Sequence, residues 1–202
     1  VDSSQFNTIL YSDSGTHTGL AFQPDIVWIK QRVNENHNLY DTTRSINQFL
    51  SPNKNEGSVS GTNRLTAFIA NTGTNSDGGF TVGSDNEVSG DPAVAWCWKV
   101  GGGTTSTNNI GGITSTVQVN NNAGISIVKY TGTESAATIG HGLDAAPELI
   151  IVKHISGGQA SGPDWYVYSS VKNMGRTKYM NLNTNAQPNT LTACLLYTSD
   201  AA

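Results

Sequence analysis

The chain has 202 residues, of which 13% are charged, and a formal net charge of −4. Ordinary globular domains carry about 25% charged residues, so Ser, Thr, Asn and Gly must supply the polar surface here. A weakly acidic chain without Lys/Arg clusters argues against nucleic acid as a partner, and no apolar run reaches the roughly 18 residues that a membrane-spanning helix needs.

The chain opens on Val1 rather than Met, which points to an N-terminus that is not the natural one. Residues 6–11 have strand composition, and 12–19 read as a turn-rich loop. Pro24-Asp25-Ile26-Val27-Trp28-Ile29-Lys30 is the next strand, with its proline at the first position, where no ladder donor is needed. Ile26, Trp28 and Lys30 share one face, Val27 and Ile29 the other. Both faces are largely apolar, so an interior strand covered on both sides is expected, with Trp28 as a core residue before a sugar-stacking platform.

Short strands are expected at 39–43, 65–69 and 80–83, and residues 44–50 have room for one helical turn. Residues 93–100 form another strand, with Ala93, Ala95 and Cys97 on one face and Val94, Trp96, Trp98 and Val100 on the other. Small residues allow a second layer to approach closely, as in a β-sandwich. Gly101-Gly102-Gly103-Thr104-Thr105-Ser106-Thr107 has the composition of a flexible linker. Beyond it, 113–119 alternates apolar and polar residues, and 124–130 matches 5–11.

A repeat organises these elements. Pro147-Glu148-Leu149-Ile150-Ile151-Val152-Lys153 copies 24–30, with 147 − 24 = 123 and 153 − 30 = 123. Leu39-Tyr40-Asp41-Thr42 is matched by Val167-Tyr168-Ser169-Ser170, and 49–55 by 179–185 at the larger offset 179 − 49 = 130. The growth in offset places an insertion at 156–162 in the second copy. That copy has no counterpart of the Phe80 and Trp96 strands, so it should be poorly closed and expose apolar edges. The expected fold is all-β: two tandem β-sandwich modules of lectin or jelly-roll type, the second truncated. Their bounds are residues 1–100, a Gly/Thr-rich linker at 101–112, and an incomplete copy at 113–193. Residues 194–202, Cys194 to Ala202, resemble the in-frame translation of a transposase adapter from sequencing libraries and are set aside as a tail. Cys97 is then the one genuine cysteine and reads as a small apolar residue.

Several motifs together carry a family resemblance: Pro24 to Lys30, Leu39 to Arg44, Gly79-Phe80-Thr81-Val82-Gly83-Ser84, Ala95-Trp96-Cys97-Trp98-Lys99, and Gly124 to Lys153. They resemble a repeat module found in large structural proteins of tailed bacteriophages, especially marine ones known from metagenomes. The resemblance implies a tail-fibre-like virion protein of lectin-like β-sandwich type, of no assigned activity. Its implied location is the virion, and its implied partners are other virion proteins and host-surface glycans. Homo-oligomeric assembly is a further candidate. The alternative class is a carbohydrate-binding module of a secreted bacterial protein, and a glycan depolymerase ranks behind both.

The chemistry-bearing residues are sparse, and no catalytic residue and no cofactor is assigned. Gly57-Ser58-Val59-Ser60-Gly61 places Val59 where a nucleophile elbow needs serine. Gly140-His141-Gly142 fails as a dinucleotide loop, because Pro147 and a strand follow where a helix should open. Asp77, Asp85, Asn86, Glu87 and Asp91 lie in oxygen-rich loops that raise calcium as a candidate ligand, though at no known loop spacing. Tyr40, Asp41, Arg44, His141 and Trp165 are the candidate ligand-facing residues. For Asp41 and Arg44 a turn-bracing ion pair is the first reading, and Lys172 takes the place of Arg44 in the second copy.

Overall fold

A computed structural model describes residues 2–33, 35–73, 75–156, 164–170 and 177–190. The 194–202 tail, the 157–162 part of the expected insertion, and Lys172 lie outside the described residues. Among the described residues the protein is all-β and holds no helix; 44–50 is turn and strand. In chain order the strands are β1 (Phe6–Tyr11), β2 (Gly15–Leu20), β3 (Ile26–Gln31), β4 (Asn38–Asp41), β5 (Gln48–Phe49), β6 (Val59–Ser60), β7 (Leu65–Ile69) and β8 (Gly78–Val82). There follow β9 (Ala93–Trp98), β10 (Ser106–Asn108), β11 (Ser115–Asn120), β12 (Ile125–Tyr130), β13 (Leu149–Val152), β14 (Tyr166–Ser169), β15 (Lys178–Asn181) and β16 (Asn189–Thr190).

The chain divides into two compact units. The first comprises Val1–Phe49 and Ser60–Asp144, the second Leu50–Val59 and Ala145–Ala202. Residues 101–112, expected as a linker between modules, lie inside the first unit.

The first unit contains the antiparallel sheets β1-β9-β3-β4, β2-β8-β7 and β10-β11-β12. Alternation along β3 turns Val27, Ile29 and Gln31 inward, all fully buried, and leaves Ile26, Trp28 and Lys30 half-buried. On the neighbouring β9 the expected split holds: Ala93, Ala95 and Cys97 face the core while the two indoles take the opposite face. Leu20, Phe80, Leu65 and Val82 of the β2-β8-β7 sheet are also buried, and the Tyr11 ring on β1 meets Phe80 on β8 at 5.6 Å. These two sheets pack in a sandwich-like manner. Trp28 is therefore not the core residue expected; its side is half open, and the core side of the strand is carried by Val27 and Ile29.

Residues 12–19 were expected to be loop, yet 15–20 form β2. The segment Gly15-Thr16-His17-Thr18-Gly19-Leu20 has weak strand propensity, and its pairing with β8 supplies the order. Gly79 makes that pairing possible, because a Cβ there would lie 2.0 Å from the His17 carbonyl oxygen.

The second unit is one antiparallel sheet, β13-β14-β15-β16, over a core of Trp165, Val167 and Tyr168. Here the doubly covered ribbon fails. Among the described residues no strand pairs with the outer edge of β13, and Leu149 is 59% and Ile151 44% exposed. Apolar side chains are thus exposed along β13.

Candidate functional site

The most elaborate polar arrangement in the first unit surrounds Asp25, which is fully buried. Its Oδ2 accepts the backbone N–H groups of Val100 (2.7 Å), Gly101 (2.9 Å) and Gly102 (2.9 Å). Its Oδ1 accepts Gly103 N–H (2.8 Å) and the Thr42 hydroxyl (3.1 Å). Successive N–H groups can converge on one carboxylate only if the chain curls into an anion-holding nest, and here Gly102 (φ 64°) and Gly103 (φ 79°) take the left-handed conformation that allows it. The fully buried Gln118 amide closes the other side, with its oxygen toward Gly103 and Thr104 N–H and its nitrogen on Thr42 Oγ1 (2.9 Å). The glycine run expected to be a flexible linker is thus a latch fastened to the acid that opens β3. Every partner is internal, so Asp25 is structural.

The five candidate ligand-facing residues do not converge. Tyr40 is buried in β4, with its ring 6.0 Å from Phe49, and burial pushes its phenol above the usual range. Asp41 accepts Thr43 N–H (3.0 Å), the Thr43 hydroxyl (2.6 Å) and Arg44 Nε (2.8 Å). The side chain of Arg44 is only 4% exposed. The pair braces the turn after β4 and leaves no open clamp. His141 Nδ1 accepts Leu143 N–H (3.0 Å), and its carbonyl accepts the Ser126 hydroxyl (2.6 Å). Trp165 belongs to the second unit and is 2% exposed, with its indole N–H directed at the carbonyls of Lys54 (2.9 Å) and Ser51 (3.2 Å). Tyr40, on β4, and Trp165, just before β14, are core rather than ligand-facing, each ring burying a large apolar area.

Of the oxygen-rich loops, Asp85 and Glu87 do meet, but around a cation the chain already owns. Arg64 binds Asp85 Oδ2 through Nε (3.2 Å), and through Nη1 it reaches Glu87 Oε2 (2.6 Å) and the buried Asn38 Oδ1 (2.7 Å). The guanidinium also lies 4.2 Å over the Phe49 ring. Asp77 instead holds Thr72. Among the described residues no group of three His, Cys, Asp or Glu side chains could hold a metal ion.

Two open features remain on the first unit. One is an aromatic row on the half-buried face of β1-β9-β3-β4. Phe6 meets Trp98 (5.0 Å), Trp96 meets Trp28 (6.0 Å), and Trp28 meets His37 (5.8 Å). Trp28 Nε1 donates to His37 Nδ1 (2.9 Å), and burial holds the His37 imidazole below its ordinary pKa, aided by the nearby Lys30 ammonium. The other is a groove of about 420 Å³ lined by Gln5, Lys99, Val119, Asn120, Asn121 and Asn122, among others. Asn120 is fixed by bonds to Gln5 Oε1 (2.7 Å) and Lys99 O (3.2 Å), while Asn121 and Asn122 stand exposed in the β11–β12 turn. Asn121 Oδ1 accepts Asp144 N–H (3.1 Å), so the Asn121 NH2 group and the Asn122 amide are what the groove offers a hydroxyl-rich ligand. Neither feature was singled out residue by residue from the sequence. The triple asparagine was the available signal for the groove, and the pairing of Trp28 with Trp96 needed the strand order.

The class these observations define is an all-β protein of small antiparallel sheets with a structural carboxylate latch. The chain belongs to the family described as Domain of unknown function (DUF7483), whose match covers residues 2–202 and so includes the 194–202 segment set aside above. No curated protein and no solved structure matches it.

Proposed function

We propose that this protein is a structural and adhesive module of a virion appendage of the tail-fibre type, with neutral host-surface glycans as its ligand class and other virion proteins as its neighbours. The observation that carries the reading is the repeated hairpin. β3 pairs β4 as Ile26↔Asp41, Val27↔Tyr40, Trp28↔Leu39 and Ile29↔Asn38. β13 pairs β14 as Leu149↔Ser169, Ile150↔Tyr168, Ile151↔Val167 and Val152↔Tyr166, the same register residue for residue. The bond from Thr42 N to Asp25 O (3.0 Å) recurs as Ser170 N to Glu148 O (2.8 Å). Serial use of one β-unit with few charges suits an extended appendage. The amide-lined groove and the aromatic row supply hydrogen bonds and stacking for sugar rings.

A glycan array and a host-cell binding assay test the adhesive half. Binding is expected, and the double substitution Asn121→Ala, Asn122→Ala should weaken it about tenfold, on the order of two lost hydrogen bonds. Absence of binding to any glycan or cell removes that half. Tail and baseplate genes beside this gene are expected. A catalytic domain in the same reading frame would favour the carbohydrate-binding module, and sugar release from capsule or agar would make it a depolymerase.

A further inference from the structure

We infer that the outer edge of β13, which no strand pairs among the described residues, is a docking site for one more antiparallel strand of β9 chemistry, supplied by a partner protein. This inference stands apart from the glycan reading. It rests on what covers the same edge in the first unit. There β9 pairs β3 as Ile26↔Trp98, Trp28↔Trp96 and Lys30↔Val94, and the loop behind β9 delivers four N–H groups to Asp25.

The second unit holds the matching half of that arrangement. Ser170 N–H donates to Glu148 O, so the alternation of an antiparallel ladder turns Ile150 and Val152 toward β14. The N–H and C=O groups of Leu149 and Ile151 then point to the edge that no strand pairs among the described residues, beside their own exposed side chains. Glu148, which repeats Asp25, is exposed rather than held in a nest. A strand entering in the β9 register would set its two indoles over Leu149 and Ile151, and its trailing glycines would meet the Glu148 carboxylate. Of the chain's four tryptophans, only Trp96 and Trp98 stand in a Trp-x-Trp pattern, and that strand is already paired to β3, so the donor is a partner's strand. Adding an extended segment to a free sheet edge is an established mode of recognition, with main-chain bonds giving affinity and side-chain pockets giving choice.

The test adds to the full chain a synthetic peptide of the sequence Ala93–Gly103 carrying Cys97→Ser, and reads amide hydrogen exchange. The expected result is at least about tenfold slower exchange at Leu149 and Ile151, the amides that gain partners. A peptide also carrying Trp96→Pro, which removes a donor facing the edge, should have no such effect. The full chain with Glu148→Gln should bind the unsubstituted peptide several-fold more weakly. Failure of the peptide to bind, binding without protection at Leu149 and Ile151, or equal protection by the Trp96→Pro peptide would overturn the proposal. Unchanged affinity of the Glu148→Gln chain would overturn the nest half of it.

Discussion

The hairpins β3–β4 and β13–β14 share a register and differ in their surroundings. β3 is an inner strand: Val27 and Ile29 are fully buried, β9 lies along its second edge, and the acid before it is gripped by four N–H groups of the loop after β9. β13 is an edge strand whose residues are exposed or half-buried and whose acid, Glu148, is exposed. The same seven-residue pattern thus fixes how a strand pairs with its sequential neighbour, while burial depends on a strand brought from far along the chain. Local pattern sets the ladder, and distant sequence sets the core.

The largest way to break the comparison is at the acids. Asp25→Ala strips the acceptor from the buried Val100 N–H, at about 1–3 kcal/mol when left unpaired, and from the more exposed N–H groups of Gly101, Gly102 and Gly103, at less each. A loss on the order of 4 kcal/mol is expected by urea denaturation. Glu148→Ala should change stability by less than about 0.5 kcal/mol, as exposed substitutions do. Equal losses at both positions would erase the distinction between the hairpins. Next come the paired apolar positions. Ile29→Ala should cost about 3 kcal/mol, the range for a fully buried isoleucine. Its repeat Val152→Ala should cost about 1 kcal/mol, because Val152 is only half-buried and leaves a smaller cavity.

A third substitution asks whether the second unit has a core of its own. Trp165→Phe keeps most of the ring but leaves the carbonyls of Lys54 and Ser51 without that donor, at about 1–2 kcal/mol. The loss should appear in the second unit's own transition. The smallest effect is on acid sensitivity. Neutral His37 accepts the Trp28 indole N–H, and its folded pKa is lowered below an unfolded value of about 6.5. A lowered value on a base favours folding above the unfolded pKa, and that contribution is lost as pH falls through the folded one. The urea midpoint should therefore drop below pH 6.5, and His37→Gln should flatten that drop. A midpoint that rises on acidification would reverse the sign.

Strand content was legible where β-branched and aromatic residues alternate, as at 6–11, 26–31, 93–98 and 125–130. The two faces of β9 followed from the contrast of small residues and indoles. β2 was hidden because Gly15 and Gly19 carry no strand signal and its order comes from β8, some sixty residues later. The Asp25 latch was hidden for a similar reason: three glycines read as slack until the acid they enclose is placed beside them. Tyr40 looked like a ligand-facing aromatic because sequence does not say which side of a short strand is open, and Trp165 because it does not say which carbonyls will meet an indole N–H in a loop. The brace between Asp41 and Arg44 was readable, since three-residue spacing across a turn brings opposite charges together without help from the rest of the fold.

The most direct test of two hairpins with one register and unequal cover is residue-resolved amide hydrogen exchange of the full chain without added peptide. The account predicts slow exchange at consecutive residues Val27 to Lys30, because both edges of β3 are bonded. In β13 it predicts alternation, with Ile150 and Val152 slow and Leu149 and Ile151 fast. Uniform protection along β13, or alternating protection along β3, would contradict it.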